Sequence, residues 1–216
     1  MIPKVKICCI SSVEEARLAV DHGAAALGLV ARMPSGPGPI ADDLILEIAR
    51  TVPPPVATFM LTSETAAQTI IAHHRRTLTN TIQIVDELAE GTYEEIKREL
   101  PAIKLVQVIH VIDESSVDEA IRIAASVDAL LLDSGNPKAA IKELGGTGRV
   151  HNWGLSRKIV AQSKVPVFLA GGIHAGNVQQ AINEVGAFGI DLCSSVRTDG
   201  KLDPQKLGLL FQAIGL

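Results

Sequence analysis

Two side chains in this sequence have the type and setting needed to move protons. Cys8 falls toward the end of the run Lys4-Val-Lys-Ile-Cys-Cys-Ile10. A thiol becomes a base once deprotonated, and a neighbouring cation such as Lys6 favours the thiolate. Asp133 closes the run Asp128-Ala-Leu-Leu-Leu-Asp133, so a carboxylate follows four apolar residues of a buried-strand pattern. Burying that group is costly, and in apolar surroundings it holds its proton and can act as a general acid. Each has a structural alternative: a small core residue for Cys8 and a loop-capping aspartate for Asp133.

Three groups of small residues suggest a different chemistry. Gly145-Gly-Thr-Gly148, Ala170-Gly-Gly-Ile173 and Asp191-Leu-Cys-Ser-Ser195 follow three successive late strands. Glycines let backbone N–H groups approach phosphate oxygens, and the start of a following helix adds partial positive charge. Gly146, Gly148, Gly171, Gly172, Asp191, Ser194 and Ser195 are therefore candidate substrate or phosphate contacts. The histidines, His22, His73, His74, His110, His151 and His174, show no paired ligand spacing on a common face. No metal is expected.

These residues must be positioned by a repeating scaffold. Runs rich in Val, Ile, Leu and Ala recur at 4–10, 24–31, 55–61, 79–85, 104–111, 128–133, 165–170 and 187–192, giving eight predicted strands. Between them lie helix-length segments with apolar spacings of three and four, such as Leu44, Ile45, Ile48 and Ala49. Helix starts are marked by Ser12 before Glu14 and Glu15, Ser63 before Glu64, and Ser115 and Ser116 before Asp118 and Glu119. Near-continuous apolar strands joined by helices call for parallel pairing with right-handed crossovers. Eight such units predict an α/β fold of the (βα)₈ TIM-barrel type, a single domain over residues 1–216. An open doubly wound sheet would usually show a glycine-rich turn after its first strand, where residues 8–12 read Cys-Cys-Ile-Ser-Ser.

In a barrel the catalytic groups sit at the carboxyl ends of the strands. Period-two alternation places Lys4, Lys6 and Cys8 on one side of the first strand, and Val5, Ile7 and Cys9 on the other. Helices cover the outer face, which assigns Cys9 outward and Lys6 and Cys8 to the interior. Residues 33–39 and 134–152 break the rhythm after strands two and six, and their length and glycine content suit loops that cover a substrate.

Composition narrows the functional classes. Aromatic residues are only 3% of the chain, so the core is aliphatic and there is little material for stacking nucleobases. A net charge of −4 offers no broad electrostatic footprint for nucleic acid or an anionic membrane. The amino-terminal segment lacks a secretory-signal pattern and no run approaches a membrane span, so a cytoplasmic location is expected. Three cysteines, Cys8, Cys9 and Cys193, do not suggest a disulfide framework.

Taken together, the residues resemble the phosphoribosylanthranilate isomerase family along the whole chain. The family's opening Lys-Ile-Cys stands here as Lys6, Ile7 and Cys8, and its acid-bearing strand as Leu131, Leu132 and Asp133. Its later motifs stand as Gly145-Gly-Thr-Gly-Arg149 and Ala170-Gly-Gly-Ile173. The resemblance implies an Amadori rearrangement of N-(5-phosphoribosyl)anthranilate in tryptophan biosynthesis, without cofactor or metal, with Cys8 as base and Asp133 as acid. It implies a small phosphorylated substrate as partner, bound by a monomer or homodimer.

The departures bear on specificity. The family's Ser-Pro-Arg after strand two reads Ser35-Gly-Pro-Gly-Pro39, and its Gln-Leu-His-Gly on strand four reads Gln83-Ile-Val-Asp86. Cys9 replaces a glycine, and Arg197 replaces a glutamate and would set a positive charge beside the phosphate loop. Arg32 is a candidate replacement for the missing guanidinium at a substrate carboxylate. Alternatives are a sugar-phosphate aldose-ketose isomerase acting on a different amine, and a non-catalytic homologue that binds phosphorylated metabolites.

Overall fold

A computed structural model describes residues 2–135 and 151–216. Eight parallel strands form a closed ring in chain order: β1 (Lys4–Ile7), β2 (Ala26–Val30), β3 (Ala57–Thr62), β4 (Thr81–Ile84), β5 (Lys104–His110), β6 (Ala129–Asp133), β7 (Val167–Leu169) and β8 (Gly189–Leu192). All eight lie within or overlap the runs read from the sequence. The ring closes where β1 pairs with β8, in register from Lys4 opposite Gly189 to Ile7 opposite Leu192.

Seven helices follow the first seven strands: α1 (Val13–Asp21), α2 (Asp42–Thr51), α3 (Ala67–Thr77), α4 (Tyr93–Glu99), α5 (Ser115–Ala124), α6 (Trp153–Gln162) and α7 (Val178–Val185). After β8 come a 3₁₀ turn over Ser194–Val196, a hairpin of β9 (Arg197–Thr198) and β10 (Lys201–Leu202), and helix α8 (Pro204–Ile214). The hairpin is absent from the sequence reading because two-residue strands leave no periodic signal.

Strand alternation divides the core into two layers. Outward side chains such as Ile7, Leu29, Ile82 and Leu132 pack beneath the helices. Inward ones such as Phe59, Val106, Leu131 and Phe168 fill the barrel. Burying one such aliphatic or aromatic side chain contributes about 1.5–3 kcal/mol. Phe59 and Phe168 meet edge to face, with ring centroids 5.9 Å apart.

Helix starts agree with the sequence in part. Ser12 caps α1, accepting from the Glu15 N–H at 3.2 Å. Ser63 caps nothing, since α3 begins at Ala67 after the extended residue Ala66. Ser115 and Ser116 lie inside α5, whose first N–H groups are met by Asp113 Oδ1 accepting from Ser115 N. In both cases a serine-acid pair was equally compatible with a preceding turn, where the same local hydrogen bonds form.

Candidate active site

The carboxyl ends of the strands surround a cavity of about 940 Å³, its open mouth included. Cys8 and Asp133 both line it. Cys8 follows β1 directly and Asp133 ends β6, on different parts of the ring, and they are 6% and 7% exposed. The backbone N–H of Cys8 donates to the Leu192 carbonyl at 2.8 Å, which extends the β1–β8 pairing by one residue and fixes the thiol's height. Burial raises the Asp133 pKa above the ordinary carboxylate value, and the nearby Asp191 adds to the shift. The carboxyl group is thus biased toward its protonated form, as a general acid requires.

Beneath the thiol lies a buried ion pair. Lys6 is fully buried and its Nζ donates to Asp191 Oδ1 at 2.8 Å, while the ammonium lies 5.3 Å from the centre of the Phe59 ring. Burial alone would push Lys6 down, but Asp191 overrides it and holds the lysine above its ordinary pKa. Lys6 is therefore the fixed positive charge in the barrel that the sequence placed near Cys8, with Asp191 as its direct partner. Asp191 lines the cavity floor; its negative charge suits it to holding Lys6 and does not suit it to a phosphate.

Gly28 on β2, which the sequence reading passed over, explains how the two groups fit together. A side chain there would come within 2.7 Å of Cys8 Sγ, and within 3.0 Å of both Cys8 Cα and Lys6 Nζ. Gln83 was noted only as part of an altered motif, yet it is 3% exposed and faces the cavity. Its Oε1 is buried without a hydrogen-bond partner. Period-two alternation across Thr81, Gln83 and Val85 carries the signal that places it inward.

Cys9 corrects the outward assignment. The strand ends at Ile7 and Cys9 adopts a left-handed backbone with φ of 61°, which breaks the alternation and turns its side chain to the cavity. That conformation costs a side-chain-bearing residue about 1–2 kcal/mol relative to glycine. Cys9 Sγ donates to the Pro37 carbonyl at 3.6 Å, and the Cys193 sulfur lies 2.6 Å from it. The loop over residues 33–39 rests on Cys9: at Gly38, φ 77°, a side chain would come within 2.7 Å of Cys9 Cβ. Met33, Ser35, Gly36 and Pro37 form part of the cavity wall.

Gly171, Gly172, Ser194 and Ser195 gather on another part of the rim. Both glycines have positive φ, 82° and 64°, and the Ser195 hydroxyl is buried without a partner. Gly146 and Gly148 lie outside the described residues. Arg32 is exposed and does not line the cavity.

Arg197 also departs from expectation. Its guanidinium pairs with Glu15 at 3.0 Å and donates to the carbonyls of Cys8, Cys9 and Gly200. Glu15 in turn accepts from the N–H groups of Ser11 and Leu202. The arginine's charge is used behind the site, bracing the β1 terminus, because the turn at Cys9 leaves two carbonyls pointing that way.

Residues 5–213 match the description of the N-(5'-phosphoribosyl)anthranilate (PRA) isomerase family. The chain belongs to this family. An isomerase of that name from Pelobacter propionicus is 33% identical over 94% of this chain and 91% of its own length. The Methanosarcina acetivorans protein is 31% identical over 98% and 92%. Among solved structures, the phosphoribosyl anthranilate isomerase of Thermotoga maritima superposes with a TM-score of 0.82 at 25% identity, covering 99% of this chain and all of that one. Another, at 24% identity and a TM-score of 0.79, is a complex with reduced 1-(o-carboxyphenylamino)-1-deoxyribulose 5-phosphate, covering 99% and 100% of the two chains. Against this phosphoribosylanthranilate isomerase background, the departures at Cys9 and Arg197 fall together around the β1 terminus.

Proposed function

We propose that this isomerase converts N-(5'-phosphoribosyl)anthranilate to its aminoketose, a step of tryptophan biosynthesis, with Asp133 as general acid and Cys8 as general base. One observation carries the assignment: a buried thiol and a carboxyl group biased toward protonation share one cavity at the carboxyl ends of the strands. Asp133 protonates the furanose ring oxygen as the C1–O bond breaks, and the nitrogen lone pair forms the Schiff base. The positive nitrogen acidifies the C2 proton, which the Cys8 thiolate removes. The resulting enolamine tautomerises to the ketone.

The phosphate is proposed to sit against the N–H groups of Gly171 and Gly172 and the hydroxyls of Ser194 and Ser195. Positive φ at both glycines and the unpartnered Ser195 hydroxyl support this placement. Anchored at that end, the sugar carries C2 toward Cys8, so that binding energy remote from the reaction sets its geometry.

A second reading has an observation of its own. Among the described residues the cavity wall contains Asp133, Asp191 and His174 but no lysine or arginine. A substrate with an uncharged amine substituent would suit that wall.

A fluorescence assay with freshly generated phosphoribosylanthranilate tests both readings. Turnover by the intact chain, lost in Cys8→Ala and Asp133→Asn, supports the assignment; full turnover in both variants refutes the mechanism. A higher kcat/KM for the phosphoribosyl derivative of aniline than for that of anthranilate would favour the second reading.

A further inference from the structure

We propose that Cys9 and Cys193 form a reversible disulfide site at the mouth of the barrel, which low-molecular-weight disulfides oxidise and which slows turnover when closed. The two residues are 184 positions apart in sequence, yet their sulfurs lie 2.6 Å apart. They follow β1 and β8, hydrogen-bonded neighbours in the ring. A disulfide needs sulfurs about 2.05 Å apart, so small side-chain motions suffice. Both cysteines are free thiols, Cys9 buried and Cys193 half-buried, and both line the cavity, so a small oxidant can reach Cys193 through its mouth.

The surroundings assign the two thiols different parts. The contact with Cys9 and the neighbouring Arg197 guanidinium hold Cys193 below the ordinary thiol pKa against the effect of burial. Cys9 is held above it, first by its contacts with Cys193 and Cys8 and then by burial. Cys193, the more exposed of the two, therefore attacks first. Its thiolate displaces one thiolate from a disulfide RSSR, giving a mixed disulfide, Cys193–S–S–R. Cys9 then gives up its proton and attacks the Cys193 sulfur, expelling the second RS⁻. The two protein thiols are oxidised, RSSR is reduced to two RSH, and the two protons released by the cysteines end on the leaving thiolates.

The bond would join the segment that carries Cys8 to the segment that carries Ser194 and Ser195. It would also remove the S–H through which Cys9 holds the Pro37 carbonyl and the loop over residues 33–39. The left-handed backbone at Cys9, where glycine would be free of strain, is consistent with a purpose for the thiol itself.

The test uses the purified, reduced full chain treated with oxidised glutathione. The expected result is a fall from three free thiols to one, an intact mass lower by two hydrogens with no adduct, and a tryptic cross-link between the peptides of Cys9 and Cys193. Cys8→Ala should keep the cross-link. Cys9→Ser should stop at a glutathione adduct on Cys193, and Cys193→Ser should form no cross-link. Three persisting thiols, a stable adduct on the unaltered chain, or a Cys8–Cys9 bond in Cys193→Ser would overturn the site. Turnover of the cross-linked form should fall about tenfold or more and return with dithiothreitol; unchanged turnover would overturn the control role. The mass readout needs no substrate, so failure of the thiol pair and failure of the catalytic assignment remain distinguishable.

Discussion

At the residue scale, the proposed acid role of Asp133 sets catalysis against stability. Its folded-state pKa is raised by burial, so the folded chain resists ionisation that the unfolded chain accepts above about pH 4. The penalty is absent at low pH and grows as pH rises through the unfolded value. Asp133→Asn should therefore raise thermal stability at neutral pH, on the order of 1 kcal/mol, while lowering kcat by about 10²–10⁴. Calorimetry and the fluorescence assay on the same preparation check both parts. The same shift places the loss of the proton donor on the alkaline limb of the kcat profile, displaced upward from the ordinary carboxylate range. Gly28 gives a second residue-level expectation. Gly28→Ala should cost about 1–3 kcal/mol through overpacking and lower kcat, because the new methyl group meets Cys8 Cα and Sγ directly. Unchanged kcat in a folded Gly28→Ala variant would mean that the thiol tolerates displacement.

At the scale of elements, the β1 terminus depends on a segment far along the chain. Arg197 at the start of β9 holds the carbonyls of Cys8 and Cys9, and Glu15 on α1 holds Arg197. The side chains of Arg197 and Glu15 are only 9% and 12% exposed, so removing one charge strands the other. Arg197→Met should destabilise by about 3–5 kcal/mol and reduce kcat, since the carbonyls of Cys8 and Cys9 lose their brace. In a double-mutant cycle with Glu15→Gln, the combined loss should fall short of the sum; strict additivity would argue against the coupling. None of this was legible in the sequence, where Arg197 read as a charge for the phosphate loop. The pairing depends on β9 folding back toward α1, a contact 182 residues apart that no local pattern encodes. The eight strands were legible because each is a short apolar run bounded by polar turns. Cys8 and Asp133 were legible because a barrel puts strand ends on one face. The orientation of Cys9 was not, since alternation fails once a residue enters the left-handed region.

At the scale of the whole molecule, acid sensitivity should have an identifiable origin in neutral buried histidines. Burial lowers the pKa of His151 to about 4, and burial also lowers that of His74. A depressed histidine stabilises the fold above the unfolded value of about 6.5. That contribution is lost as pH falls, because the unfolded chain takes the proton first. For His151 the window runs from about pH 6.5 to about 4, and the loss is on the order of 2 kcal/mol after allowing for partial exposure. His151→Gln should flatten the dependence of Tm on pH across that window. An unaltered slope would place the acid sensitivity elsewhere. No helix among the described residues is long and apolar enough to cross a membrane.

The closure of the ring by its first strand against its last also has a consequence for synthesis. Cys8, the proposed base, is translated well before its backbone partner Leu192 and its brace Arg197, which lies 189 residues later. A nascent chain released at residue 180 would carry Cys8 on an unpaired strand edge, with neither the thiol pocket nor the serine rim assembled. Activity should therefore arise only once β8 and Arg197 have emerged to pair with the β1 segment, and chains stopped before Leu192 should be wholly inactive.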